Sequence, residues 1–175
     1  MTGLPSTLRH LLFVAALGLL GLAGCSHYRL GTEAAPRFAT LHVAVVKSET
    51  LLPQAAALFT TELREAFIKD GRVRLVDSAD EAEAILAVTL VDYSRGVAVT
   101  RADDTGLARR FDLTLSARAT LTDRRARSDL FKDRPLVAKR GAFTDDGQIQ
   151  SEYQTLPLLA ARLAEQVRKA ALETW

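Results

Sequence analysis

The sequence is poor in the residues that build covalent or metal frameworks. Its 175 residues include one cysteine, three histidines and one tryptophan, and aromatics make up 6%. A lone cysteine makes no internal disulfide framework, and one Cys with three scattered His cannot supply a Cys-rich zinc module. Charge of one sign is nearly lacking too, with 23 Lys+Arg against 21 Asp+Glu. A surplus of two is too small to drive general phosphate binding, so no nucleic-acid partner is implied. Nor is there a G-x-S-x-G elbow, a P-loop, a dinucleotide fingerprint or an H-E-x-x-H helix. The length is that of one ordinary domain.

What is present begins with an uneven apolar distribution. Leu11 to Gly24, LLFVAALGLLGLAG, carries no charge, follows Arg9 and His10, and ends at Cys25. The run is too short for a bilayer-spanning helix, which needs about 20 apolar residues, and fits a signal-peptide core of roughly 7–15. Leu22-Ala23-Gly24-Cys25 resembles a lipobox, in which small residues admit the peptidase and the Cys sulfur takes a diacylglycerol. Residues 1–24 are thus expected to be a removed signal peptide and Cys25 a lipid attachment site. Each buried methylene contributes about 0.8 kcal/mol, so two or more acyl chains anchor stably. Arg9 leaves with the leader, which contains no acid, and the positive surplus falls to one.

Residues 25–39 read as a tether and 40–175 as a single α+β domain. Leu41–Val46 is a short β-branched run that fits a buried strand. From Pro53 to Asp70, Ala55, Leu58, Phe59, Leu63, Ala66 and Phe67 recur at helical spacing, and Gly71 supplies a left-handed cap. Arg72–Val76 is a short extended segment. Ile85–Tyr93 and Arg109–Thr122 are stronger strands; in the second, Phe111, Leu113, Leu115, Ala117, Ala119 and Leu121 alternate with polar residues. Asp103-Asp104-Thr105-Gly106 is turn chemistry between them, so a long antiparallel hairpin is expected, its tip projecting from the domain. A polar connection over 123–133 precedes a weaker strand at Pro135–Phe143, closed by Asp145-Asp146-Gly147. A last helix carries Leu156, Leu159, Leu163, Val167 and Ala170 on one stripe, with Thr155 as its N-cap and Pro157 in its first turn. The expected architecture is a small sheet of about four main strands with both amphipathic helices on one face.

Catalytic equipment is sparse. His10 leaves with the leader, His27 lies in the tether, and His42 alternates onto the polar side of the first strand as a half-exposed histidine. The pairs Asp103/Asp104 and Asp145/Asp146 read as turn formers. No enzyme, cofactor or metal site is expected. The informative charges are basic: Arg124, Arg125, Arg127, Lys132 and Arg134 crowd one connection, Lys139 and Arg140 follow, and Arg101, Arg109 and Arg110 cluster at the hairpin. Arginine forks bind phosphate and carboxylate bidentately. Two readings stay open for them, a solvated loop balanced by Asp123, Asp129 and Asp133, or contact with an anionic glycolipid.

Taken in order, these features resemble the LptE family, the lipoprotein of the outer-membrane lipopolysaccharide-assembly complex. That family reads Cys-Gly-Tyr-x-Leu-x-Gly near its lipidated cysteine, and this chain has Cys25-Ser26-His27-Tyr28-Arg29-Leu30-Gly31. Leu41–Val46, Glu49-Thr50, Leu58–Phe67, Asp70-Gly71-Arg72-Val73-Arg74-Leu75-Val76 and Ala82–Tyr93 look like the family's downstream segments, with Ser26 and Glu49 as departures. The resemblance implies a non-catalytic plug and assembly factor for an LptD-type β-barrel. It places the domain on the periplasmic side or within the barrel lumen, lipid-anchored to the outer membrane, and allows contact with lipopolysaccharide. Arg101, Arg109 and Arg110 are the expected contacts, chosen by position because no family motif aligns them. A different class, a periplasmic regulatory or secretion lipoprotein such as a peptidoglycan-synthase activator or a curli-secretion-like subunit, shares the strand-helix-strand pattern. A lipid-anchored hydrolase is disfavoured by the missing nucleophile and base.

Overall fold

Strand β1, Thr40–Val43, buries Leu41 and Val43 and turns Thr40 and His42 the other way, the period of two that a half-buried strand requires. The computed structural model to which it belongs describes residues 36–52, 54–100, 108–143 and 148–173. The segment expected as leader and tether therefore lies, up to residue 35, outside the described residues. So do Asp103, Asp104, Asp145 and Asp146. Phe38, on the tether side of the expected boundary, is buried in the core, and Ala39 donates its backbone N–H to Glu83 Oε2 at 2.7 Å.

After β1 come β2 (Lys47–Ser48), helix α1 (Ala55–Asp70), β3 (Arg74–Leu75), a 3-10 turn (Ala79–Glu81), β4 (Ala84–Thr100), β5 (Ala108–Asp123), β6 (Ser128–Phe143) and helix α2 (Gln148–Leu172). The six strands form one mixed sheet in the order β3-β1-β4-β5-β6, with β2 paired to β4 beyond the end of β1. β1 runs parallel to β3 and β4, in register Leu41↔Leu75 and Leu41↔Ala84, whereas β4, β5 and β6 form an antiparallel meander.

Helix α1 buries Ala55, Phe59, Leu63 and Phe67, four residues apart on one stripe, and stops at Gly71, whose φ of 72° is the left-handed region and whose N–H returns to the Phe67 carbonyl at 3.1 Å. In α2, Leu159, Leu163 and Val167 are fully buried, and Ala160, Ala164 and Ala171 beside them let the helix approach closely. Both helices pack over the sheet face that carries Leu86, Val88, Leu90, Leu113, Leu115 and Leu121, forming one core. Each fully buried Leu or Phe contributes about 1.5–3 kcal/mol. Asp70, Arg72, Arg168, Glu165 and Glu173 lock the C-terminal ends of the two helices together.

The α+β class and the two helices are as expected, but the sheet has six strands instead of about four. The two additional strands are two residues long: β3 falls within Arg72–Val76, expected as a short extended segment, whereas β2, both of whose residues are exposed, pairs on the open edge of β4 and carries no side-chain period. The expected polar connection over 123–133 shrinks to a turn at 124–127, since β6 starts at Ser128. Helix α2 begins at Gln148, seven residues before the expected cap Thr155, and Pro157 lies inside it, leaving the Tyr153 carbonyl without its helical donor.

Candidate functional site

The meander strands are 16 or 17 residues long, about 50 Å when extended, longer than the helices cover. Their far end forms an arm. A bulge sits at Val91: Leu90 pairs with Ala117, yet Asp92 pairs with Ser116. One extra residue reverses the facing of the strand beyond it. Tyr93, Arg95 and Val97 accordingly share the helix side with Leu115, Leu113 and Phe111, their cross-strand partners. Aliphatic core thus gives way, along one face, to Tyr, Arg and an exposed Val97.

On that face Arg95 forms an ion pair with Glu152 of α2 and lies 5.5 Å over the Phe111 ring. The hydrogen bond and charge of Glu152 raise the Arg95 pKa. Burial raises that of Tyr93, with Glu152 adding to the effect and Arg95 opposing it. Leu52, Gln54, Tyr93, Ile149, Glu152, Tyr153 and Leu156 line an open groove of about 300 Å³ between the starts of the two helices. Its rim is apolar and wet: Ile149 is 85% exposed and Tyr153 70%. Sequence reasoning missed this groove because it placed 148–154 outside the helix; the four-residue spacing of Ile149 and Tyr153 was the available signal.

On the opposite face Arg110 lies 5.7 Å over the Phe143 ring and pairs with Asp112 at 3.1 Å. Its guanidinium crosses Gly141 so closely that a Cβ there would come within 2.6 Å of Nε. Of the expected glycolipid contacts, Arg110 is therefore held against an aromatic at the arm. Arg101 lies outside the described residues, as does Cys25, and Arg109 is described in its backbone alone.

The other basic cluster divides. Arg124 donates to the Asp80 carbonyl at 2.7 Å and to the Ala82 carbonyl at 3.3 Å, and Arg125 pairs with Glu83 at 2.6 Å. These two arginines fasten the β5–β6 turn to the start of β4. Arg127, with φ of 51°, is exposed. Further along the solvent face of the sheet, Arg118 pairs with Glu49 at 3.4 Å beside an open hollow of about 390 Å³ lined by Ala87, Thr89, Thr120 and Asp133. His42 is half-buried, its Nδ1 3.2 Å from the Val76 carbonyl, a contact in which the ring N–H donates. Among the described residues no group of His, Cys, Asp and Glu is arranged to hold a metal, and no helix is long and apolar enough to cross a membrane.

These observations define an α+β domain whose mixed sheet extends past its helices into an arm set with arginine–aromatic pairs on both faces. Residues 38–170 match the family model LptE, lipopolysaccharide-assembly, and the chain belongs to that family. No curated protein matches it in sequence. Solved structures with the same fold include a protein of Xanthomonas campestris at 12% identity and TM-score 0.60, covering 79% of this chain and 87% of that one. Another is an uncharacterized lipoprotein B of Nitrosomonas europaea, at 16% identity and TM-score 0.52, covering 83% and 87%. The PelC dodecamer of Paraburkholderia phytofirmans is similar at 13% identity and TM-score 0.51, covering 82% and 96%.

Proposed function

We propose that this chain is a non-catalytic lipoprotein of the outer membrane that supports lipopolysaccharide assembly as plug and assembly factor of an LptD-type β-barrel. Residues 1–24 are its leader, Cys25 its lipid attachment point, 25–39 its tether and 40–175 its working domain. The match to the lipopolysaccharide-assembly family over residues 38–170 carries this reading. The geometry supports it in one respect. The chain enters the domain at Phe38–Thr40, beside Glu83 and the β5–β6 turn, whereas the arm lies at the other end of β4, about 50 Å away. The arm is thus remote from the point at which the chain enters the described domain. Arg101, Arg109 and Arg110 are the proposed lipopolysaccharide contacts, the aromatic ring of Phe143 facing the lipid side of such a ligand and the Arg110 guanidinium its phosphates.

Affinity purification from detergent-solubilised outer membrane tests the partner. Recovery of a large β-barrel protein is expected; recovery of a penicillin-binding protein, or of this chain as a homo-oligomeric ring, refutes the reading. Charge reversal at Arg109 and Arg110 is expected to weaken lipopolysaccharide binding with the fold intact, and unchanged binding removes both residues from the site. A secretion-type ring is the second reading, favoured by the fold shared with PelC, a dodecamer in its solved form. The mass of the detergent-solubilised particle separates the two.

A further inference from the structure

We infer that the outer edge of β6, from Val137 to Phe143, is a docking edge for an acidic extended segment of another protein, which adds to the sheet as a further antiparallel strand. Among the described residues β6 is the last strand in the sheet order, and no strand pairs with its outer side. The direction of its backbone groups is set by the register. Glu49 donates its N–H to the Leu90 carbonyl at 2.8 Å, so Leu90 faces β2, and its cross-strand partner Ala117 faces away from β4 toward β6. Ala117 pairs with Leu136 in an unbroken ladder up to Arg110↔Phe143, so even-numbered residues of β6 face β5 and odd-numbered ones face outward. Arg162 confirms this independently by donating from outside to the Lys139 carbonyl at 3.1 Å. The N–H groups of Val137, Lys139, Gly141 and Phe143 are thereby presented on the edge.

Open edges of this length are normally guarded by bulges, prolines or inward charges. Here the backbone guards sit in the first half of the strand, where Asp133 adopts φ of 47° at a bulge and Pro135 lacks an N–H, while the second half carries the edge charge of Lys139. Past Pro135 the edge is regular, with Val137 45% exposed and Phe143 59% exposed. Charge selects the occupant. Lys139 and Arg140 are exposed and have no acidic partner among the described residues. A second copy of β6 would bring these like charges together across the join. An acidic strand offers the opposite sign, with apolar side chains beside Val137 and Phe143, and main-chain hydrogen bonds supply the affinity. The inference does not rest on the barrel reading; it shares Gly141 and Phe143 with the Arg110 site but is carried by the backbone amides of the edge, not by the guanidinium.

The test uses isotope-labelled full chain in detergent micelles and a capped peptide, Phe-Thr-Thr-Thr-Glu-Thr-Val, followed by amide exchange. Slowed exchange at the four odd-numbered amides 137, 139, 141 and 143 is expected, with the even-numbered amides, already bonded to β5, unchanged. A peptide with Lys in place of Glu should bind about fivefold more weakly, the upper range for one cross-strand charge pair. Lys139→Glu, an exposed position, should reverse that preference. Equal binding of the two peptides, undiminished binding of a peptide N-methylated on its edge-facing amides, or protection elsewhere on the molecule overturns the proposal.

Discussion

Replacing Asp70 by Asn would withdraw one negative charge from a cluster almost closed to water. The Asp70 side chain is 8% exposed, that of Arg168 9% and that of Arg72 13%. Its carboxylate accepts Arg72 Nε at 2.7 Å and Nη2 at 2.9 Å, and also a bond from Arg168 Nη1. Removing one partner of a buried pair costs about 3–5 kcal/mol. Glu165 and Glu173 remain beside Arg168, and Glu173 beside Arg72, so the lower end of that range applies, about 3 kcal/mol. At about 3–4 °C per kcal/mol for a domain of this size, Tm should fall by about 9–12 °C. The pH dependence sharpens the argument. The hydrogen bonds from Arg72, with the charges of Arg168 and Arg72, outweigh burial and hold the Asp70 pKa below its ordinary value; Arg168 does the same for Glu165. A carboxylate depressed on folding contributes stability that is full above its unfolded pKa of about 3.9 and is lost as pH falls toward the folded value. Urea unfolding of wild type and Asp70→Asn should therefore show a gap at pH 7 that narrows below about pH 4. Adding Arg168→Met to both should reveal a coupling of at least about 1 kcal/mol between the two positions. A gap under about 1 kcal/mol at pH 7, or one that does not change with pH, would refute the reasoning.

Cys25→Ala should abolish incorporation of a fatty-acid analogue into the protein in growing cells, and persistent labelling would remove the lipobox reading. Gly141→Val should push Arg110 off the Phe143 ring, because the new Cβ meets the guanidinium at 2.6–3.0 Å. The flexible end of Arg110 can swing aside, so stability should change by less than about 1 kcal/mol, while lipopolysaccharide binding drops as far as it does in Arg110→Ala. Binding that survives Gly141→Val but not Arg110→Ala would show that the stacked position is not the one used. Arg124→Ala should destabilise the domain by about 1–2 kcal/mol in thermal unfolding, since it strips donors from the Asp80 and Ala82 carbonyls, whereas the exposed Arg127→Ala should be nearly neutral.

The elements legible in the sequence are those whose side chains sort by solvent. Phe59, Leu63 and Phe67 announce α1 and Gly71 its end; the strict alternation of β5 announces a sheet with one buried face. Elements held mainly by backbone were not legible. Ser128–Asp133 is polar and exposed except at Leu130 and Phe131, which pack against the core, yet it is strand because β5 supplies partners, through Thr122↔Asp129 and Leu121↔Phe131. Gln148–Thr155 is helical although its apolar residues face water, a position that lowers the period's contrast instead of raising it.

The candidate site depended on the least legible feature of all. Strict alternation continued from Leu86, Val88 and Leu90 would send Asp92 and Ser94 to the helix side, and Tyr93 and Arg95 to the solvent side. In that arrangement Arg95 could not reach Glu152 or lie over Phe111, and Tyr93 could not wall the groove. One unpaired residue, Val91, decides between the two outcomes. Nothing in its chemistry marks a bulge, because valine is as good a strand former inside a ladder as beside one. The choice is made by the residues just C-terminal to it. Placing Asp92 against the core would bury an unpaired carboxylate, whereas the bulge leaves it exposed and gives Arg95 an acid and an aromatic. The cost of one lost ladder position is smaller than that of one buried charge, so the identity of residues 92 to 95 sets the geometry at residue 91.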